Sequence, residues 1–373
     1  MIRLVILATA LIGSSLMPGA VDAAPGATSP STEYGVIDGA SFRIDIPANW
    51  NHELVVYYHG YSLTPTIFSA SEPLSAMFDP FLSRGYALVQ SGYSRTGWAI
   101  EQAQSETERL RAKFVARYGA PKRTYITGMS MGGALTALTI EARPQIYAGA
   151  LSLCGVIEPS DRFLQRNFAV RAAFDYYFPG LLGPLVPVPA DYRMDDATTD
   201  KIARALAGNP KALRAMLGLY PAADANNFPP VLAFITNDTQ ELQQRTGGNP
   251  FGNADMIYVG SQDDAALNDG VRRYRADAKA ALYLARWYTP SGKLLRPMLA
   301  LHDTADPLVP AIGAFEYALA AQRSGHGENF VQQYVNREGH CVFTPDQIGR
   351  GFDELADWVR IGKRPESGKL PSS

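Results

Sequence analysis

Cysteine is scarce in this chain: it has 373 residues and only two cysteines, Cys154 and Cys341. No clustered set of cysteine, histidine and carboxylate ligands occurs, and neither H-E-x-x-H nor G-x-G-x-x-G is present. Those absences imply neither a metal nor an organic cofactor. No basic run stands out, and the formal net charge is -2. Nucleic acid is therefore a poor partner, and an acidic substrate is neither strongly attracted nor repelled. No internal repeat is visible. The longest apolar stretch, from Leu4 to Met17, is about 14 residues where a membrane span needs about 20. A stable membrane anchor is not expected.

That short stretch has another meaning. Arg3 supplies a positive start, the apolar run follows, and Val21-Asp22-Ala23 fits the small-residue cleavage rule. Residues 1–23 read as a signal peptide cut near Ala23, which places the mature protein in a secreted or periplasmic setting. No cysteine lies near the cut, so a lipoprotein is not indicated. Pro25 to Thr32, rich in small and polar residues, reads as a flexible leader.

The remaining hydrophobic content, 46% of the chain, suits one large domain with an insertion. Phe42 to Ile46 alternates and predicts an early antiparallel strand ended by Pro47. Leu54 to Tyr58 and Tyr86 to Gln90 are solid apolar runs, as in strands covered on both faces. Glu101 to Arg117 predicts an amphipathic helix with Ala103, Leu110, Phe114 and Val115 inward. Strands at Thr124 to Thr127 and Tyr147 to Leu153 flank a helix ended by Pro144. This alternation predicts a mostly parallel, doubly wound α/β sheet. It breaks between about 157 and 295, where helix-like segments near Thr199 to Leu206, Pro210 to Leu217 and Asp263 to Leu284 follow aromatic and proline-rich pieces. So long an insertion must be structured, and a mainly helical cap between the sixth and seventh core strands is expected. The rhythm resumes with a strand at Pro297 to Leu301, a helix from Ile312 to Arg323, a strand at Phe330 to Val335 and a helix from Pro345 to Ile361. The expected division is a core of 24–156 and 296–363, a cap of 157–295, and a flexible tail of 364–373.

The chemistry centres on Gly128-Met129-Ser130-Met131-Gly132. A serine on the turn between a strand and a helix, with glycines two places either side, is a nucleophile elbow. Side chains at the glycine positions would collide with the neighbouring chain, and the helix N-terminus beneath the serine favours developing negative charge. A serine nucleophile needs a base, and the base needs a group that fixes its tautomer. Only five histidines compete for the first role. His340 follows a strand and precedes the last helix, the place a base should occupy. His52 and His326 lie in polar turns, and His302 reads as a packed or hydrogen-bonded residue. For the acid, Asp306 lies far enough beyond a strand end to reach across, with Pro307 and Pro310 stiffening its turn. Asp303 is the alternative, with a turn-capping reading of its own.

The order Ser130, Asp306, His340, the D-x-x-V-P around Asp306, and Gly339-His340 together resemble the α/β-hydrolase family. The likeness covers nearly all of the mature chain except the cap. It implies an oxyanion hole made by the backbone N–H of Met131 and of Tyr61, since His59-Gly60 resembles the family's H-G loop, though a plain strand-ending turn also fits that dipeptide. Each such donor is worth about 3 kcal/mol of barrier. Gly60 and Trp98 would then line the substrate site, with Tyr176-Tyr177-Phe178 as a further aromatic contribution. Cys154 and Cys341 both fall at the catalytic edge of such a sheet, either as two buried thiols or, in an oxidising compartment, as a disulfide that pins the histidine loop. Tannase-like and feruloyl-esterase-like enzymes also tether the histidine through a following cysteine. They place its partner just before the serine, where this chain has Met129, and on that ground the subtype is not expected.

The resemblance implies an exported serine hydrolase that cleaves a small-molecule or polymer-derived carboxylic ester through an acyl-enzyme. A peptidase or amidase using the same triad is the alternative, with Asp195, Asp196, Asp263 and Asp264 as carboxylates for a substrate amine. A non-catalytic binding protein is a third reading, opposed by the intact triad.

Overall fold

The computed structural model describes residues 30–371. The expected signal peptide and its cleavage point lie outside the described residues. Nine strands form one sheet: β1 (Ser31–Ile37), β2 (Ala40–Ile46), β3 (Leu54–Tyr58), β4 (Ala87–Ser91), β5 (Thr124–Met129), β6 (Gly149–Leu153), β7 (Met298–Ala305), β8 (Phe330–Glu338) and β9 (Gly368–Lys369). Their spatial order is β1-β2-β4-β3-β5-β6-β7-β8-β9. The β1–β2 and β2–β4 pairings are antiparallel, and every pairing from β4 to β9 is parallel. This is the mostly parallel doubly wound sheet expected.

Helices cover both faces of that sheet. In chain order the helices of the described residues are α1 (Asp79–Ser83), α2 (Ile100–Tyr118), α3 (Met131–Ala142), α4 (Ser160–Tyr177), α5 (Asp196–Ala207), α6 (Pro210–Leu219), α7 (Phe228–Thr246), α8 (Asp264–Gly270), α9 (Ala278–Trp287), α10 (Ile312–Arg323) and α11 (Pro345–Ile361), of which α1, α2, α3, α10 and α11 pack on the sheet. Side chains alternate along a strand, so β3 serves two cores. Leu54, Val56 and Tyr58 pack with Ala103, Leu110 and Phe114 of α2 and with α3. Val55 and Tyr57 face the opposite side, where Phe81 of α1 and Phe352 and Leu355 of α11 close a second core. Because β3 is covered on both faces, all five of its residues are buried.

Four departures from expectation have physical causes. The leader was to reach Thr32, but β1 begins at Ser31 and pairs along its whole length with β2, its polar residues facing outward on an edge. The tail from 364 adds β9, whose Gly368 and Lys369 pair with Gln333 and Tyr334, while Leu370 is buried in the α11 core. The segment from Asp263 to Leu284 is not one helix. Between α8 and α9, Asn253 donates and accepts across the backbone of Tyr274 and Asn249 bonds to Asp277, holding the chain extended. Finally, α4 and α7 are long helices with no clear periodic signal. Helices α4 to α9 all lie between β6 and β7 in the chain.

Candidate active site

Ser130 sits between β5 and α3 at φ 57° and ψ -120°, a conformation that costs a non-glycine residue free energy and marks a constrained turn. The turn demands its glycines. A Cβ on Gly128 would lie 2.7 Å from the Tyr58 carbonyl oxygen, and one on Gly132 2.9 Å from that of His59. A Cβ on Gly133 would lie 2.7 Å from Ser152 Oγ. The Ser130 N–H donates to the Leu153 carbonyl at 3.0 Å, and its own carbonyl accepts from Gly133 and Val156. The nucleophile position is thus fixed by β3, β5 and β6 together.

His340 follows β8 and meets the serine across the sheet edge. Its Nε2 lies 2.8 Å from Ser130 Oγ, and its Nδ1 lies 2.7 Å from Asp306 Oδ2. A carboxylate only accepts, so Nδ1 carries the proton and Nε2 is left to receive the hydroxyl's. Asp306 is buried, and its other oxygen accepts the N–H groups of Leu308 and Val309, both at 2.9 Å. Burial alone would raise its pKa, but the His302 ring with Nε2 3.6 Å away, the hydrogen bond from His340, the positive charge of His340 and the Val309 N–H outweigh it and hold the carboxyl below its ordinary range. His302 is packed as expected, donating from Nε2 to the Val309 carbonyl at 2.8 Å. The alternative acid, Asp303, does not touch the His340 ring nitrogens. Its Oδ2 accepts the Val342 N–H at 3.2 Å, and burial pushes its pKa up.

Ser130, Asp306 and His340 stand beyond the carboxyl ends of parallel strands β5, β7 and β8, in that chain order, with the serine on a strained strand-to-helix turn. The fold is that of the α/β-hydrolases. The model of a tannase-like family of unknown function matches residues 38–196. The chain is 20% identical to the o-phthalyl amidase of Xanthobacter agilis over 88% of this chain and 87% of that one. Among solved structures it is similar to EstE5 soaked with p-nitrophenyl butyrate, at 14% identity and TM-score 0.48, covering 90% of this chain and 87% of that chain. It is also similar to the acylaminoacyl peptidase of Pyrococcus horikoshii, at 12% identity and TM-score 0.43 over 91% of this chain. It spans only 42% of that peptidase's length.

The match to a tannase-like family model over residues 38–196 stands against the expectation drawn from Met129. Met129 pairs directly with Leu153 on the adjacent strand, and Cys154 is the next residue along. Cys154, the partner of Cys341, therefore stands one strand over from Met129 at the same sheet edge. Cys154 and Cys341 form a disulfide with Cα atoms 5.4 Å apart, closing a span of 187 residues. On the chain-entropy account such a loop is worth about 5 kcal/mol. Cys154 and Cys341 both adopt positive φ, as do Ser130 and Tyr93 at the same edge. Backbone strain is concentrated around the candidate site.

The remaining predicted site residues divide. Gly60 lies against the nucleophile: a Cβ there would be 3.4 Å from Ser130 Cβ. Met131 is the first residue of α3, so its N–H has no helical carbonyl to bond. His59 stacks on Tyr93 at 3.9 Å, and burial lowers its pKa. Its Nδ1 bonds the Gly60 carbonyl at 2.7 Å, which stiffens the loop that leads to Tyr61. Trp98 is not an open pocket wall. It is 3% exposed, its indole N–H donates to Asp238 at 2.9 Å and its backbone N–H to Glu241 at 2.8 Å. Tyr176 and Tyr177 pack edge-to-face on each other, and Phe178 on Phe174, within the β6–β7 helices.

Sequence reasoning missed one face of α7. Phe234 packs on the Tyr61 ring at 5.3 Å, and Asn237 donates to the Tyr61 hydroxyl at 2.8 Å. Asp238 and Glu241 hold Trp98. These positions, spaced by three and four, share one side of a helix. The spacing was available, but three of the four residues are polar and α7 begins Phe-Pro-Pro, so no apolar stripe on this face announces the helix.

Proposed function

We propose that this chain is an exported serine hydrolase that cleaves a carboxylic ester through an acyl-enzyme. The observation that carries the reading is the relay of 2.8 and 2.7 Å from Ser130 through His340 to Asp306 on the strained elbow. Ser130 Oγ attacks the ester carbonyl as His340 Nε2 takes its proton. Asp306 holds the imidazole in the tautomer that can accept, and its low pKa keeps it anionic beside the imidazolium. The tetrahedral oxyanion is bound by the N–H groups of Met131 and Tyr61 at the start of α3 and after Gly60. His340 then protonates the leaving alcohol, and water repeats the sequence to release the acid. The helices between β6 and β7 act as the cap that shapes specificity, and the disulfide keeps the histidine loop seated in an oxidising compartment.

A second reading, amide hydrolysis, is favoured by the likeness to o-phthalyl amidase along most of both chains. The same residues serve it, with firmer protonation of the nitrogen leaving group by His340. A panel of p-nitrophenyl esters, aminoacyl anilides and aryl amides separates the two. Ester turnover well above amide turnover supports the first reading, and the reverse order replaces it with the second.

A further inference from the structure

A cavity of about 650 Å³ opens beside Tyr61, the residue that follows Gly60 and the nucleophile-facing turn. That volume is within the range of small-molecule sites. Arg95, Glu101, Asn237, Gln244 and Arg245 line it, and Leu63 is its one aliphatic wall residue. Much of this polarity is already committed. Glu241 accepts from the Trp98 N–H and from Arg245 at 2.7 Å, Glu101 from the Tyr283 hydroxyl at 3.2 Å, and Arg245 also donates to the Thr96 carbonyl. Several groups are left over among the described residues. Arg95 and Gln244 have no side-chain partner, and Asn237 donates to Tyr61 while its carbonyl oxygen stays unused.

An aliphatic chain in this cavity would cover those groups and return no hydrogen bonds, which is unfavourable most of all for the buried Asn237. A group rich in oxygen would satisfy them. A second cavity of about 630 Å³ shows the contrast: it is lined by Phe251, Met256, Ala281 and Leu284 and includes no residue of the elbow, the Gly60 loop or the histidine loop. The apolar space therefore touches none of these segments, whereas the polar space reaches the loop after Gly60 at Tyr61.

We propose that the cavity beside Tyr61 is a substrate subsite for an oxygen-rich group, carrying hydroxyls or a carboxylate, on the ester that Ser130 attacks. This rests on the hydrolase reading above. Arg95 and Gln244 supply donors at the rim, and Asn237 supplies an acceptor beside the Tyr61 hydroxyl. Burial, together with the nearby Glu241 and Asp238 carboxyls, keeps that hydroxyl protonated.

The test is a set of p-nitrophenyl esters of equal length whose acyl ends are alkyl, hydroxylated or carboxylated, assayed on the folded mature protein. A second set carries the same ends on the alcohol side. Wild type should favour a polar end by about ten-fold or more in kcat/KM in at least one set. Gln244→Leu and Arg95→Leu, both at exposed positions that leave folding intact, should each shrink that ratio, with Arg95→Leu acting most on the carboxylated esters. Flat ratios in both sets, or ratios untouched by both substitutions, would overturn the subsite. Fluorophosphonate labelling of Ser130, run alongside, separates the two failures. Labelling with flat ratios removes the subsite alone, whereas no labelling removes the hydrolase reading on which it stands.

Discussion

The sheet and the β6–β7 helices are built by different means. The sheet is specified by short apolar runs whose residues are buried on both faces, so Leu54 to Tyr58 or Gly149 to Leu153 need little but their neighbours. The inserted helices bury apolar side chains too, and in addition are tied together by polar groups in low-dielectric surroundings. Arg171 of α4 is fully buried, pairs with Asp175 and donates to Thr236 of α7 at 3.1 Å and to the Gly183 carbonyl at 3.2 Å. In α7, Thr236, Asn237, Asp238, Thr239, Gln240 and Gln243 are all buried, and Gln243 reaches Val188, Leu185 and Asn249. A core of the first kind tolerates change by adjusting volume, while a network of the second kind fails when one partner is lost.

The same contrast appears in two buried aspartates. Asp306, at the sheet edge, accepts backbone N–H groups and faces His340, and its pKa falls despite burial. Asp238, on α7, has the Trp98 indole N–H on one oxygen and no partner among the described residues on the other, so burial pushes its pKa well up. One site is organised to hold a charge. The other is organised to do without one.

Three experiments break or sharpen this comparison. The largest effect is expected at the sheet edge: His340→Ala should lower kcat/KM about 10⁴-fold or more, and Asp306→Asn should approach it by presenting the wrong tautomer. Steady-state kinetics on a p-nitrophenyl ester, with melting curves to show both variants folded, reads this out. In the inserted helices the largest cost should come from Arg171→Ala. It strips the network of its central donor and should lose about 3–5 kcal/mol in urea unfolding, more than a Leu151→Val trim in the sheet at about 1 kcal/mol. If the two cost the same, the distinction between the regions fails.

The smallest effects are the pH slopes. A carboxyl whose folded pKa is lowered stabilises the fold above its unfolded pKa and loses that contribution as pH falls through the folded value. Asp306 should therefore make the protein less stable in acid below about pH 4, a dependence that Asp306→Asn flattens. Asp238 has the opposite sign. Its folded pKa is raised, so the folded state binds the extra proton and stability declines as pH rises above the unfolded value of about 4. Asp238→Asn should flatten that decline and leave the protein relatively better off at pH 7 than at pH 4. Urea midpoints across pH 3–8, an order-of-magnitude window set by these carboxyl values, check both signs.

Legibility from sequence followed the same divide only in part. Strands β2 to β8 and helices α2, α3, α10 and α11 announce themselves through period and punctuation, and within the insertion so do α5 and α6. For α11, Pro345 at the first turn, a Thr344–Gln347 capping box and Gly362 just past the end state both boundaries. The sequence singles out Ser130, Asp306 and His340, which the structure brings together, because the elbow has a fixed context and only five histidines compete. What was hidden is what depends on distant partners. The polar face of α7 has meaning only beside Tyr61 and Trp98, the break between α8 and α9 only beside Asn249 and Asn253, and β9 only beside β8. Trp98 was misjudged for the same reason, because an aromatic residue in a loop reads alike whether it lines a pocket or locks a joint.

The central claim is that Ser130, His340 and Asp306 act as one nucleophilic unit. Incubating the protein with a fluorophosphonate and mapping the adduct by mass spectrometry tests it directly. The account predicts a single adduct on the peptide that carries Ser130, formed rapidly in wild type and barely at all in His340→Ala. No adduct, or an adduct on another serine that persists in Ser130→Ala, would contradict it.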